Sequence, residues 1–172
     1  MRRLLTAALA VLAIAGLAVM VNPTAANADG EIYMLINHSG QNCLDVKYGG
    51  MNNFDTVDLY RCYYSGTVES WKLISVPQPY HAYLLMNVHS QKCLDVGYGS
   101  MAVFAPVDQY DCNPNDTAEL WWLGGPPGNF QMFQNVNSWQ CLDDFYGGTA
   151  DFTQADQFPC EHGDGAEWWT LH

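Results

Sequence analysis

The chain has 172 residues, of which 6 are basic and 18 acidic, for a net charge of −12 with the histidines neutral. A field of that sign repels phosphate backbones and anionic lipid surfaces, which argues against nucleic acid and membrane surfaces as partners. The content of Gly, Asn, Tyr and Trp, with few Lys or Glu residues, points to a turn-rich protein of short strands rather than a disordered acidic chain.

In chain order the first element is a segment with Arg2 and Arg3, an apolar run from Leu4 to Val21, and small residues ending in Ala26-Asn27-Ala28. This pattern predicts a secretory signal peptide over residues 1–28, with an extracellular product of residues 29–172 that forms one domain. Two of the six basic residues and none of the acids lie in the signal, so the exported part is the more acidic one. All six cysteines fall in it, an even number in an exported chain, and a disulfide framework is the expectation. No C-x-x-C pair occurs and the five histidines do not cluster at ligand spacing, so no metal centre is expected.

The exported part then repeats itself three times, at about residues 29–78, 79–126 and 127–172. The phrases CLDVKYGG from Cys43, CLDVGYGS from Cys93 and CLDDFYGG from Cys141 open the matching stretches, 50 and 48 residues apart. Within each, a second cysteine follows the first by 19 positions (Cys62, Cys112, Cys160) and a tryptophan follows that by 9 (Trp71, Trp121, Trp169). A phenylalanine recurs 11 past the first cysteine, at Phe54, Phe104 and Phe152. A unit of this length cannot bury a core alone, so three units must share one. Each unit reads as four short strands: one before the first cysteine (Tyr33 to Asn37, Tyr83 to Val88, Phe130 to Val136), the CLD strand, the strand leading to the second cysteine, and one around the tryptophan. Glycine turns separate them at Gly49-Gly50, Gly99-Ser100 and Gly147-Gly148. The expected fold is all-β: a β-trefoil of three four-stranded repeats with pseudo-threefold symmetry and one disulfide inside each repeat.

Strand alternation places Leu44 and Val46 on one face and Cys43 and Asp45 on the other. In the partner strand it sets Val57 and Leu59 against Asp58, Tyr60 and Cys62. If Cys43 bridges Cys62 directly across an antiparallel pair, Asp45 faces Tyr60 and Asp58 lies diagonal. The same register puts Asp95 opposite Tyr110 with Asp108 nearby, and Asp143 opposite Phe158 with Asp156 nearby. A carboxylate beside an aromatic face suits a sugar, whose hydroxyls donate to the acid while its apolar ring face stacks.

Three copies of CLDV-like, V-x-x-Y-x-C-like and Q-x-W-like stretches resemble the ricin B-chain-type β-trefoil lectins, including the xylan-binding modules of bacterial xylanases. The resemblance implies up to three shallow sugar pockets. It carries the family's sugar-binding aspartate onto Asp45, Asp95 and Asp143, and its stacking aromatic onto Tyr60, Tyr110 and Phe158. The chain departs from the pattern where the family has glutamine two residues before the aromatic: here stand Asp58, Asp108 and Asp156. The Q-x-W glutamine is Glu69, Glu119 or Glu167, and the preceding asparagine is Val68, Ala118 or Ala166. Loop residues Ser65, Asn113, Asn115 and Asp164 are candidate substitutes for that lost donor.

Two carboxylates in one pocket raise a pKa or recruit a cation. The expectation is therefore a pocket favouring a Ca²⁺-bridged sugar, an amino sugar or another cationic group. Trp71, Trp121 and Trp169 are expected in the core, Glu69, Glu119 and Glu167 as structural hydrogen-bonding residues, and Tyr48, Tyr98 and Tyr146 as hairpin packing or pocket wall. The functional expectation is a secreted, monomeric, non-catalytic carbohydrate-binding protein whose partner is a glycan or polysaccharide. The rival is a secreted protein-binding trefoil, such as a protease inhibitor or adhesin.

Overall fold

The computed structural model describes residues 30–125, 130–161 and 163–172. The signal segment expected over residues 1–28 lies outside these. Twelve strands follow in order: β1 (Ile32–Asn37), β2 (Cys43–Val46), β3 (Val57–Tyr60), β4 (Ser70–Val76), β5 (Ala82–Asn87), β6 (Cys93–Val96), β7 (Ala105–Tyr110), β8 (Trp121–Gly124), β9 (Phe130–Asn135), β10 (Cys141–Asp144), β11 (Thr153–Phe158) and β12 (Trp169–Leu171). Short 3-10 turns replace longer helices, and among the described residues no helix is long and apolar enough to cross a membrane.

The pairings make two layers. Six strands close a ring, since β1 pairs β4, β4 pairs β5, β5 pairs β8, β8 pairs β9, β9 pairs β12 and β12 pairs β1, all antiparallel. Closure leaves the ring without an open edge. The hairpins β2–β3, β6–β7 and β10–β11 form the second layer across one end, joined to each other by β3–β11 and β7–β11 pairing and a bridge between Thr56 and Asp108. Barrel with hairpin cap, built from three similar units, is a β-trefoil-like arrangement.

The shared core forms where the layers meet, and the sequence pattern explains its composition. Leu44, Val46, Val57 and Leu59 point inward, as do Leu94, Val96, Val107 and Leu142. Trp71, Trp121 and Trp169 pack among them with no exposed surface, as expected. Each indole Nε1–H donates to a carbonyl of the CLD strand, Leu44 (2.9 Å), Leu94 (3.1 Å) or Leu142 (3.1 Å). The bond satisfies the buried N–H and ties barrel to cap. A second recurring polar tie was not foreseen. The fully buried Asn37, Asn87 and Asn135 stand 6 positions before each first cysteine, and their Nδ2 atoms donate to the carbonyls of Ala166, Val68 and Ala118.

The disulfides join Cys43–Cys62, Cys93–Cys112 and Cys141–Cys160, one per repeat. Each closes a loop of about 20 residues, contributing on the order of 3 kcal/mol in the chain-entropy description. They do not set the expected register. Cys43 lies opposite Tyr60, not opposite Cys62, and the hairpin places Asp45 directly across from Asp58. The same correction of two positions pairs Asp95 with Asp108 and Asp143 with Asp156, so Tyr60, Tyr110 and Phe158 lie diagonal to the first acid. The physical reason is that β3 stops at Tyr60. Cys62 already belongs to the following loop, from which it reaches Cys43 with a Cα–Cα distance of 5.1 Å. A shift of two preserves the faces, because side chains alternate with period two.

Candidate functional site: three composite acid–aromatic pockets

Each cap hairpin ends in a tight turn that turns a tyrosine outward. Tyr48, Tyr98 and Tyr146 all adopt φ of 56°, the left-handed region that bulky residues avoid, and each is followed by a glycine with positive φ. They are among the most exposed side chains, at 81%, 88% and 75%. Three aromatic rings held out in water on a costly backbone conformation mark a constraint other than packing.

The partner of each tyrosine comes from another repeat. Phe152, in the third repeat, lies 5.3 Å from Tyr48 and 4.8 Å from Tyr60 between ring centroids. Phe54, in the first, stacks on Tyr98 at 5.0 Å and contacts Tyr110 at 5.0 Å. Phe104, in the second, lies 4.9 Å from both Tyr146 and Phe158. All three phenylalanines also have left-handed φ, between 61° and 68°. Sequence reading registered their fixed spacing but not their destination. They cross the repeat boundary, which periodicity alone does not show.

Two cavities mark the result. One of about 220 Å³ is lined by Asp45, Tyr48, Tyr60 and Phe152. The other, of about 250 Å³, is lined by Phe104, Asp143, Tyr146, Gly147, Phe158, Asp164 and Ala166. The first acids and stacking aromatics are thus brought together in repeats one and three. In repeat two Tyr110 joins the Phe54–Tyr98 stack beside the strand that carries Asp95. A larger cavity of about 350 Å³ lies at the β8–β9 hairpin against Trp122, Met132, Gln134 and the Cys141–Cys160 bridge. No side chain lining it is charged, and it lacks the threefold recurrence, so the smaller pockets are the better candidates.

The second acids behave differently from the first. Asp58 and Asp156 have no exposed surface and stand behind the pocket wall, whereas Asp108 retains 9%, slightly more than Asp95 at 7%. Oδ1 of Asp45, Asp95, Asp108 and Asp143, and both oxygens of Asp156, are buried without a hydrogen-bond donor. Burial first, then the opposed Asp58 and Glu69, raise the pKa of Asp45 to about 7. Asp95 and Asp143 are pushed to about 8, by burial first and by Asp108 or Asp156 second. Burial lifts Asp108 and Asp156 to about 7, while Asp58 reaches only about 6 because Lys47 favours its charged form. With both acids raised, each pair carries less than its full charge at neutral pH, which eases the like-charge contact.

Glu69, Glu119 and Glu167 do the structural work expected of them, accepting from the backbone N–H of Tyr63 (3.3 Å), Asn113 (2.8 Å) and Glu161 (2.7 Å). Of the candidate loop donors, Asp164 lines the third cavity while also capping Ala166 N–H, and Asn113 Oδ1 is taken by the N–H of Asn115. Among the described residues no group of three or more His, Cys, Asp or Glu side chains is arranged to hold a metal ion.

Barrel, hairpin cap and a threefold set of surface aromatic clusters, two of them beside a cavity, define the class of a β-trefoil with its candidate ligand sites on the hairpin cap. Residues 21–110 and 69–158 match the family of ricin-type beta-trefoil lectin domain-like sequences, and the chain belongs to it. No curated protein sequence matches the chain. Among solved structures it is similar to a designed threefold-symmetric protein, ThreeFoil, with a TM-score of 0.76, 25% identity and coverage of 81% of this chain and 96% of that one. It also resembles the Rhizoctonia solani agglutinin (TM-score 0.71, 16% identity, 83% and 96% covered). A third similar structure is the Macrolepiota procera ricin B-like lectin in complex with lactose (TM-score 0.69, 19% identity, 83% and 95% covered).

Proposed function

We propose that this protein is a secreted, non-catalytic carbohydrate-binding protein with up to three sugar pockets, one per repeat. The observation that carries the reading is the threefold recurrence of a composite cluster, in which two aromatics of one repeat meet a phenylalanine of another, with a cavity beside the acid in repeats one and three. The acids Asp45, Asp95 and Asp143 accept from sugar hydroxyls, and Tyr60, Tyr110 and Phe158 stack on the ring. Asp58, Asp108 and Asp156, directly across the hairpin, set the charge of the first acid. Membership of a lectin-like family supports the ligand class, and the Macrolepiota procera lectin is a family-like fold bearing lactose. Three disulfides support an extracellular setting, in keeping with a signal over residues 1–28. Glycoside hydrolysis needs one asymmetric acid/base pair, whereas here one constellation recurs, as multivalent binding uses.

The test lies in the cross-repeat residue. In a protein whose other pockets are disabled by Asp95→Asn and Asp143→Asn, Phe152→Ala is expected to weaken polysaccharide binding by about tenfold, as much as Tyr60→Ala. Affinity electrophoresis in gels containing xylan, galactan or another neutral polysaccharide reads the effect. Unchanged retardation in both variants would remove the pocket assignment and favour a protein-binding module.

A further inference from the structure

The three repeats differ at the residue four positions past the first cysteine, which is Lys47, Gly97 or Phe145. In repeat one the Lys47 ammonium lies 3.5 Å from Asp58 Oδ2, 5.4 Å from the Phe152 ring centroid and 5.8 Å from that of Tyr48. A carboxylate on one side and aromatic faces on the other is the environment that recognises an ammonium group. The protein thus displays, with its own side chain, what this pocket does with a cation.

Repeat two keeps the surroundings and removes the lysine. Phe54 and Tyr98 stack as Phe152 and Tyr48 meet in repeat one, and Asp95 opposes Asp108 as Asp45 opposes Asp58. Asp95 is 7% and Asp108 9% exposed, each has a buried Oδ1 without a donor, and among the described residues neither has an ion-pair partner. Gly97 has no side chain, and a methyl group there would already lie 3.1 Å from Asp108 Oδ2. Asp108 accordingly keeps 9% of its surface exposed where Asp58, covered by Lys47, keeps none. Repeat three closes the position differently, with the Phe145 ring 4.3 Å from Tyr146 and 5.6 Å from Phe104.

We infer that the pocket of repeat two binds an amine-bearing sugar, its ammonium taking against Asp108, Phe54 and Tyr98 the place that Lys47 takes in repeat one. This rests on the carbohydrate-binding reading and names the ligand class of one of its sites. Repeat one, neutralised from within, takes uncharged sugars, and repeat three presents an apolar ring instead. The single residue after the CLDV strand sets the choice among the three.

Isothermal titration with a β-1,4-linked glucosamine trimer and its fully N-acetylated counterpart, in low-salt buffer, tests this. The free-amine trimer is expected to bind at one site per chain, about tenfold or more tighter than the acetylated one. Gly97→Lys should abolish that preference. Lys47→Gly, which places in repeat one the residue that repeat two already carries, should create a second amine-preferring site. Equal affinity for the two trimers, or a preference that survives Gly97→Lys, overturns the inference. Binding of Nα-acetyl-lysine amide as tight as that of the trimer overturns its sugar part. Binding of neutral glycans without any amine preference overturns this inference alone, whereas binding of no glycan by any variant overturns the carbohydrate-binding function as well.

Discussion

Replacing Asp58, Asp108 and Asp156 together by asparagine is expected to raise the thermal midpoint at pH 8 by on the order of 10 °C and to change its pH dependence, with the gain shrinking toward pH 4. Each of these acids has a folded-state pKa above its unfolded value of 3.8, at about 6 for Asp58 and about 7 for the other two. For a raised pKa the unfolded chain loses its proton first. The folded state is then undisturbed below about pH 4 and loses stability as pH rises through the folded pKa. Asparagine does not titrate, so the variant escapes this loss. The carboxylate pairs are buried between strands, with no lysine near two of the three, and that is why the penalty is large. Differential scanning calorimetry across pH 4 to 8 reads the outcome. Parallel curves for wild type and variant would show that these acids carry no buried charge.

The second large effect is expected at the core. Trp121→Ala should cost about 3–5 kcal/mol, a sizeable share of the roughly 5–15 kcal/mol by which a domain is stable. Trp121 is fully buried, and its indole N–H is bonded to Leu94 O in the cap. Its removal opens a cavity in a core cluster to which all three repeats contribute, so one cooperative transition shifted to lower denaturant is the expected result. Trp121→Phe keeps much of the volume but leaves the Leu94 carbonyl without its donor, at a cost of about 1–3 kcal/mol. Denaturant titration followed by near-ultraviolet circular dichroism measures both. Loss of structure confined to the second repeat would argue against a shared core.

The site was partly legible from local pattern. Asp45 with Tyr60, and Asp143 with Phe158, do line common cavities, because strand parity fixes which side chains share a face and a two-residue error in register leaves parity intact. The register is not legible there, because a disulfide need not join directly opposed residues, and Cys62 and its counterparts sit past the strand end. The direct pairing of acid with acid follows only from that offset. The outward tyrosines at 48, 98 and 146 were ambiguous in sequence, since a tyrosine before a glycine turn fits packing and binding equally well.

By itself the sequence determined the period of the repeat, the strand order within it, the cysteine partners, the buried tryptophans and the family resemblance, because each is written in fixed spacings within a unit or in the recurrence of the unit itself. Only the tertiary structure decided what crosses between repeats. It carried Phe54, Phe104 and Phe152 against aromatics of neighbouring repeats, set Asp58, Asp108 and Asp156 directly across from the first acids, and laid Lys47 against an aromatic pair where Gly97 places no side chain. The reason is geometric: closing three units around one axis places residues some fifty to one hundred positions apart against each other, and the repeat period describes each unit but not what its neighbour presses against it.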